Sequence, residues 1–279
     1  MAWRAHQLGH YLRLVAWLLI VLMTEAQAEG EDTKIVAHRG ASHDAPENTL
    51  AAFRLAFEHG ADAIEGDFHL TSDGHIVCVH DKDGKRTLGS KVTIADATLE
   101  QLRKFDAGSW KGSNWVGETI PTLDEVLDLL PESAFLFMEV KCGTEIIKPL
   151  TARLKARGVT PSQLVVISFN KEVIRKFKEF NPDFIAYLLT SFKTKKGDGS
   201  LIPTAKELIT VLKDIQADGL DCNADSRLDP SFAKTLRKAG YSLHVWTVND
   251  EAKARRFIKD FGVESITTDR PEWLRNKLD

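Results

Sequence analysis

The chain has 279 residues, 43% of them hydrophobic, and its charged side chains balance to a formal net charge of −3. That length and apolar content suit one sizeable domain with a real core, and nothing in the composition suggests disorder or a repeat array. The near-neutral charge supplies no basic field for nucleic acid.

Arg4 and Arg13 precede an apolar run over residues 14–23 that is short for a bilayer span, and Ala26-x-Ala28 fits the small-residue rule for signal peptidase. Residues 1–28 are therefore expected to be a secretory signal, with residues 29–279 the mature single domain in the periplasm or outside the cell. An uncleaved anchor is the alternative. Cys78, Cys142 and Cys222 lie in or beside strand-like runs, where cysteine serves as a small buried residue; a disulfide between two would leave one thiol free.

Residues 35–37 read as a short buried strand ending on His38-Arg39. Residues 49–59 have helical periodicity, with Asn48 as a plausible cap and Gly60 as a stop. Residues 63–71 alternate as a strand, and residues 76–80 form a second one after Ser72-Asp73-Gly74-His75. If Asp73-Gly74 are the centre of a two-residue turn, Asp67 lies opposite His80 with Glu65 on the same face. Residues 82–119 form a polar, Gly-rich insertion holding Phe105, Trp110 and Trp115. These aromatics either line a pocket mouth or pack beneath the loop.

From Pro121 onward strands and helices alternate. The strands fall at 135–140, 164–169, 184–189, 219–222, 242–248 and 265–268, with helices between them and a Lys- and Gly-rich loop at 191–200. Such alternation implies parallel strands with right-handed crossovers. Nine strands compete for eight barrel places, and the hairpin strand is the extra. The expected fold is an α/β (β/α)8 TIM barrel with a small insertion after the second barrel strand; a doubly wound sheet is the alternative, and would not bring the first and last strands together.

A strand face carrying Glu65, Asp67, His69 and His80 is not buried bare, because unpaired charges cost several kcal/mol each. For any one of these residues, an exposed hairpin face is explanation enough. The set together with His38-Arg39 points to a site. His38-Arg39-Gly40, Pro46-Glu47-Asn48-Thr49, Glu65-x-Asp67, Thr71-x-Asp73-Gly74 and His80-Asp81 resemble the signature of the glycerophosphodiester phosphodiesterase family. Ile120-Pro121-Thr122-Leu123, Glu139-x-Lys141, Trp246-Thr247-Val248-Asn249 and Thr268-Asp269-Arg270-Pro271 extend the resemblance, in order, from about Lys34 to the end.

The resemblance implies Glu65, Asp67 and Glu139 as ligands of one divalent cation. Three hard oxygen donors suit Mg²⁺ or Ca²⁺ rather than Zn²⁺. It also implies general acid–base hydrolysis of a glycerophosphodiester to glycerol 3-phosphate and an alcohol. His38 and His80 are the candidate proton carriers, since imidazole titrates near neutral pH. Arg39 and Lys141 could stabilise charge growing on the phosphate oxygens, and Trp246 offers an apolar wall for glycerol carbons. Which imidazole is acid and which base stays open, as does whether His80 also ligates the cation. Glu47 and Asn48 would brace the site, while His43, His69 and His75 are expected at the surface. Two other functions remain: a related barrel phospholipase or lyase acting on intact lipid, and an inactive barrel that binds phosphate esters.

Overall fold

The computed structural model describes residues 33–197 and 199–279, and the expected signal segment lies outside them. Eight parallel strands close on themselves: β1 (Lys34–Ala37), β2 (Ala63–Leu70), β4 (Phe135–Val140), β5 (Leu164–Ser168), β6 (Ile185–Thr190), β9 (Gly219–Asn223), β10 (Ser242–Trp246) and β11 (Ser265–Thr268). Closure is carried by β1, which pairs in parallel with both β2 and β11. The doubly wound alternative is thereby excluded, and the (β/α)8 barrel stands. Helices cover the outside, among them α1 (Leu50–Glu58), α3 (Leu123–Asp128), α4 (Ile147–Arg157), α5 (Lys171–Phe180), α6 (Ala205–Asp214), α7 (Pro230–Lys238), α8 (Glu251–Arg256) and α9 (Pro271–Leu278). No helix among the described residues is long and apolar enough to cross a membrane.

The strands read as near-continuous apolar runs because both faces are covered. Outward residues such as Ile35, Ile64, Phe68, Leu136, Met138, Val166, Leu188, Val245 and Ile266 join the helices in the main core. Inward residues Val36, Ala63, Phe137, Val165, Ile167, Tyr187 and Leu189 fill the barrel as a second cluster. On β1, β2 and β4 the inward positions that follow Val36, Ala63 and Phe137 are His38, Glu65 and Glu139, so an ionisable layer sits on the apolar plug at that side of the barrel.

The hairpin differs in register from the sequence expectation. Strand β3 (Ile76–Cys78) pairs antiparallel with β2 as Phe68 to Cys78, His69 to Val77 and Leu70 to Ile76, one residue away from the pairing that set Asp67 against His80. The turn holds three residues, not two. Thr71 Oγ1 donates to Asp73 Oδ1 at 2.6 Å and accepts from the His75 N–H at 2.9 Å, and Gly74 takes φ +83. This is a tight turn followed by a left-handed glycine, the three-residue hairpin loop.

Packing enforces that register. Ile76 and Cys78 face the barrel's outer core, whereas Val77 and Val79 face Leu88, Ile94, Ala97, Leu102, Ala107 and Ile120 in the insertion's own apolar cluster. A one-residue slip would swap both sets. Phe105 packs against this cluster and is not among the residues that line the barrel's cavity.

Three smaller departures have local causes. Thr49, not Asn48, caps α1, its side chain accepting from the Ala52 N–H. Lys193–Thr194 (β7), inside the stretch 191–200 read as loop, forms a short antiparallel pair with Leu201–Ile202 (β8) just beyond it. The last part of the helix expected before β11 widens into a π turn, Phe257–Phe261, and Gly262 at φ +57 ends it. Cys78, Cys142 and Cys222 are all free thiols, two of them buried.

Candidate active site

The C-terminal ends of the strands converge on a cavity of about 160 Å³ lined by His38, Arg39, Glu65, His80, Glu139, Lys141, Ile167, Phe169, Leu189, Asp221, Trp246, Thr247 and Thr267. All the sequence-assigned site residues except Asp67 line it directly. Asp67 is buried beside them.

The turn after β1 shapes the first part. Arg39 adopts a left-handed φ of +57 and Gly40 follows at +79. A Cβ on Gly40 would approach the Ala52 backbone to 2.5 Å, so this turn requires glycine there. The turn aims the Arg39 N–H at Glu65 Oε2, 2.9 Å away, and places its guanidinium 2.9 Å from Glu47 Oε1 and 3.2 Å from Asp67 Oδ2. A strained non-glycine residue at a site is an arrangement that surrounding bonds must hold.

Glu65 and Asp67 lie two apart on β2 and so share its inner face, and the parallel register sets Asp67 beside Glu139 of β4. One oxygen from each of Glu65, Asp67 and Glu139 lies within 4.8 Å of the others. Burial raises the Glu65 carboxyl well above the usual range, and the Asp67 and Glu139 charges push it further. Glu139 is lifted by burial and by Asp67 to about 7, against the opposing Lys141. Burial would raise Asp67 too, but Arg39, Lys141, His80 and Asn48 bring it below its ordinary value. Three carboxyls this close cannot all ionise unless more positive charge is supplied.

Glu65 Oε1 and Asp67 Oδ1 are buried with no hydrogen-bond partner among the described residues. Two orphaned oxygens beside a third carboxyl, Glu139, make a set of three hard donors of the kind a divalent cation needs, so the residues fit such an ion.

Of the two roles expected of Asn48, the helix cap falls to Thr49, and the side chain braces Asp67. Held at φ +59, it donates to Asp67 Oδ2 at 2.8 Å while its Oδ1 accepts the Asp67 N–H at 3.0 Å. That clamp fixes both the backbone and the carboxylate of Asp67.

Each imidazole is oriented by a carboxylate through Nδ1. His38 Nδ1 lies 2.6 Å from Asp269 Oδ1 and His80 Nδ1 lies 2.7 Å from Asp81 Oδ1, so in each ring Nε2 is the nitrogen left for other contacts. Burial opposes ionisation of Asp269, yet the bonds and charge of His38 with those of Asn249 and Ser42 hold it at about 2. Lys141 Nζ stands 2.8 Å from Glu139 Oε1 and 3.2 Å from His80 Nε2. Arg86 of the insertion donates to Glu47 at 2.7 and 2.8 Å and to Asp81 at 2.8 Å, joining the Arg39 and His80 sides.

The family model described as the glycerophosphoryl diester phosphodiesterase family matches residues 38–273. The chain belongs to this family. By family it is a phosphodiesterase enzyme. A curated glycerophosphodiester phosphodiesterase of Caldanaerobacter subterraneus is 34% identical over 249 residues, covering 88% of this chain and 97% of the relative. The human glycerophosphodiester phosphodiesterase 1 is 32% identical over 256 residues, 83% of this chain and 76% of the relative. An Oleispira antarctica phosphodiesterase, solved in complex with the product sn-glycerol-3-phosphate, matches with TM-score 0.76 and 28% identity over 88% of this chain and 96% of that one. The family match runs from the residue after β1 into α9.

In this phosphodiesterase-family chain, the sequence left some of the cavity unread. Phe169, 48% exposed at the end of β5, stands edge-on to Trp246 with centroids 5.7 Å apart. Asp221 of β9 is a buried carboxyl in the cavity wall. A lone aromatic and a lone Asp at strand ends carry no local signal; only closure of the barrel gathers them. Trp110 and Trp115 are not among the cavity-lining residues.

His69 corrects an expectation. It is 7% exposed rather than superficial, because it pairs with Val77 on the face that the insertion covers. Its ring meets the His80 carbonyl at 3.2 Å, and burial lowers its pKa. His43 and His75 are half exposed, as expected.

Proposed function

We propose that the protein hydrolyses glycerophosphodiesters to glycerol 3-phosphate and an alcohol, with two imidazoles moving the protons and one divalent cation, Mg²⁺ or Ca²⁺, held by Glu65, Asp67 and Glu139. The observation that carries this reading is the pair of imidazole–carboxylate couples, His38–Asp269 and His80–Asp81, opening on one cavity beside the three carboxylates. A bound cation would supply Lewis-acid polarisation of a phosphoryl oxygen.

Cleavage of a phosphodiester requires one proton to leave the attacking hydroxyl and another to reach the departing alkoxide. A carboxylate on Nδ1 fixes the tautomer and steadies the imidazolium that forms when Nε2 takes a proton. Two such rings allow one to act as base and the other as acid. Arg39 and Lys141 supply positive charge where the non-bridging oxygens gain negative charge, Arg39 as a planar fork and Lys141 as a point charge. Phe169 and Trp246 offer apolar surface to the substrate's carbon skeleton and limit water on that side.

Purified protein, chelated and then resupplied with each cation, is incubated with a panel of glycerophosphodiesters and with liposomes while released glycerol 3-phosphate is measured. Cation-dependent release from the soluble diesters is expected, reduced about a hundredfold or more by H38A or H80A. Turnover of liposomes alone, or full turnover in both variants, would reverse the assignment. The Arg-flanked apolar run and Ala26-x-Ala28 support export with cleavage after Ala28, which sequencing the N-terminus of the exported protein checks.

A further inference from the structure

The cavity has two unlike halves. His38, Arg39, Glu65, His80, Glu139 and Lys141 make one half densely charged, and Ile167, Phe169, Leu189 and Trp246 make the other largely apolar. Asp221 interrupts the apolar half. The register sets it between Leu189 of β6 and His244 of β10, facing into the barrel, and it is 1% exposed. Among the described residues its Oδ1 has no hydrogen-bond partner, and the Trp246 indole Nε1 in the same wall has none either.

A buried carboxyl without partners is expensive to keep, and an apolar residue of similar size would be tolerated or favoured there. Orphaned groups of this kind therefore call for an explanation, and in a cavity wall the direct one is a ligand. One group that could use both orphans is a hydroxyl, which donates to a carboxyl oxygen and accepts from an indole N–H. We propose that Asp221 receives the terminal hydroxyl of the substrate's glycerol, making this half of the cavity a polyol-selecting subsite. The proposal rests on the glycerophosphodiester reading and deepens it: the charged half takes the phosphate, and the apolar half with one polar anchor takes a short polyol arm.

A site built around a substrate hydroxyl discriminates strongly against the analogue that lacks it, because its polar group is then left unpaired. The test compares glycerol 3-phosphate with 1,2-propanediol 1-phosphate, identical but for the terminal hydroxyl. Binding of each to the cation-loaded protein is measured by calorimetry, and kcat/KM is measured for the corresponding phosphocholine diesters. Wild type is expected to favour the glycerol compounds about ten- to a hundredfold, the worth of one hydrogen bond to a carboxyl group. D221L should bring that ratio close to one, keep its affinity for the deoxy compound, and melt no lower than wild type. D221N, which retains an acceptor oxygen, should keep part of the preference.

No preference in wild type, or an unchanged ratio in D221L, would overturn the assignment. If D221L does not fold, the wild-type ligand pair and D221N decide. The two readings fail separately: hydrolysis of glycerophosphocholine without hydroxyl preference sinks the subsite alone, whereas hydroxyl-selective binding without diester hydrolysis sinks the activity alone.

Discussion

Replacing Asn48 tests how the barrel holds Asp67. In the cation-free protein, N48A removes a donor to the ionised Asp67 carboxylate at 2.8 Å and strands the buried Asp67 N–H, which now donates to Asn48 Oδ1 at 3.0 Å. The first loss is worth about 2 kcal/mol, as a hydrogen bond to a charged group, and the second about 1–2 kcal/mol as an unsatisfied buried donor. Position 48 also sits at φ +59, where a Cβ without a polar side chain to steady it costs about 1 kcal/mol more. The expected destabilisation is about 4–5 kcal/mol for N48A and about 1 kcal/mol less for N48G, which tolerates the backbone. Those losses are large against the roughly 5–15 kcal/mol of a whole domain. Urea unfolding of the three proteins measures both numbers, and cation titration should show weaker binding in each variant because Asp67 is no longer held. A loss below about 1 kcal/mol for N48A, or equal stability of the two variants, would refute the clamp and its backbone component.

Replacing Asp269 by Asn leaves His38 without its carboxylate partner, and kcat should fall about a hundredfold or more while the melting point changes little; an unchanged kcat would remove His38 from proton transfer. Arg86 touches Asp81 and Glu47 rather than the cavity, so R86Q should lower kcat about tenfold with KM nearly constant, and added guanidinium should restore part of the loss. A change in KM alone would contradict its role in steadying His80. In the insertion, Asp106 accepts the N–H groups of Ser109, Gly117 and Gly108, which hold its carboxyl at about 2, below its ordinary 3.8. A folded value below the unfolded one contributes stability above about pH 4 that is lost as pH falls toward 2. Protection of the Gly117 amide against hydrogen exchange should drop across that window in wild type, and the decline should be absent in D106N.

The barrel and most of its site were legible because both are written in local periodicities. The i, i+2 spacing of Glu65 with Asp67 and of Glu139 with Lys141 places each pair on one face of its strand, and regular strand–helix alternation brings those faces to one end. The hairpin register was not legible. Asp73-Gly74 reads as the centre of a two-residue turn, yet the Thr71 hydroxyl captures Asp73 and the His75 N–H and lengthens the loop by one residue. Val79 makes the last backbone bond to β2, its N–H donating to the Asp67 carbonyl, and His80 just beyond it comes within 3.2 Å of Lys141 Nζ. Asn48 has the chemistry of a helix cap, and only the fold shows that Thr49 caps while Asn48 turns inward. His69 departs from its expected surface position because it pairs with Val77, whose face the insertion covers, and because its ring meets the His80 carbonyl. Asp221 is the plainest case, since a single Asp in an apolar strand acquires meaning only when β9 joins the cavity wall.

We propose that Glu65, Asp67 and Glu139 hold one divalent cation beside the two imidazole couples. Calorimetric titration of Mg²⁺ and Ca²⁺ into the chelated protein tests it most directly, with E65Q, D67N and E139Q titrated in parallel. One site per chain in wild type, weakened in all three variants, is the predicted result. Wild-type binding retained in all three, or no binding by a wild-type protein that still turns over, would contradict it.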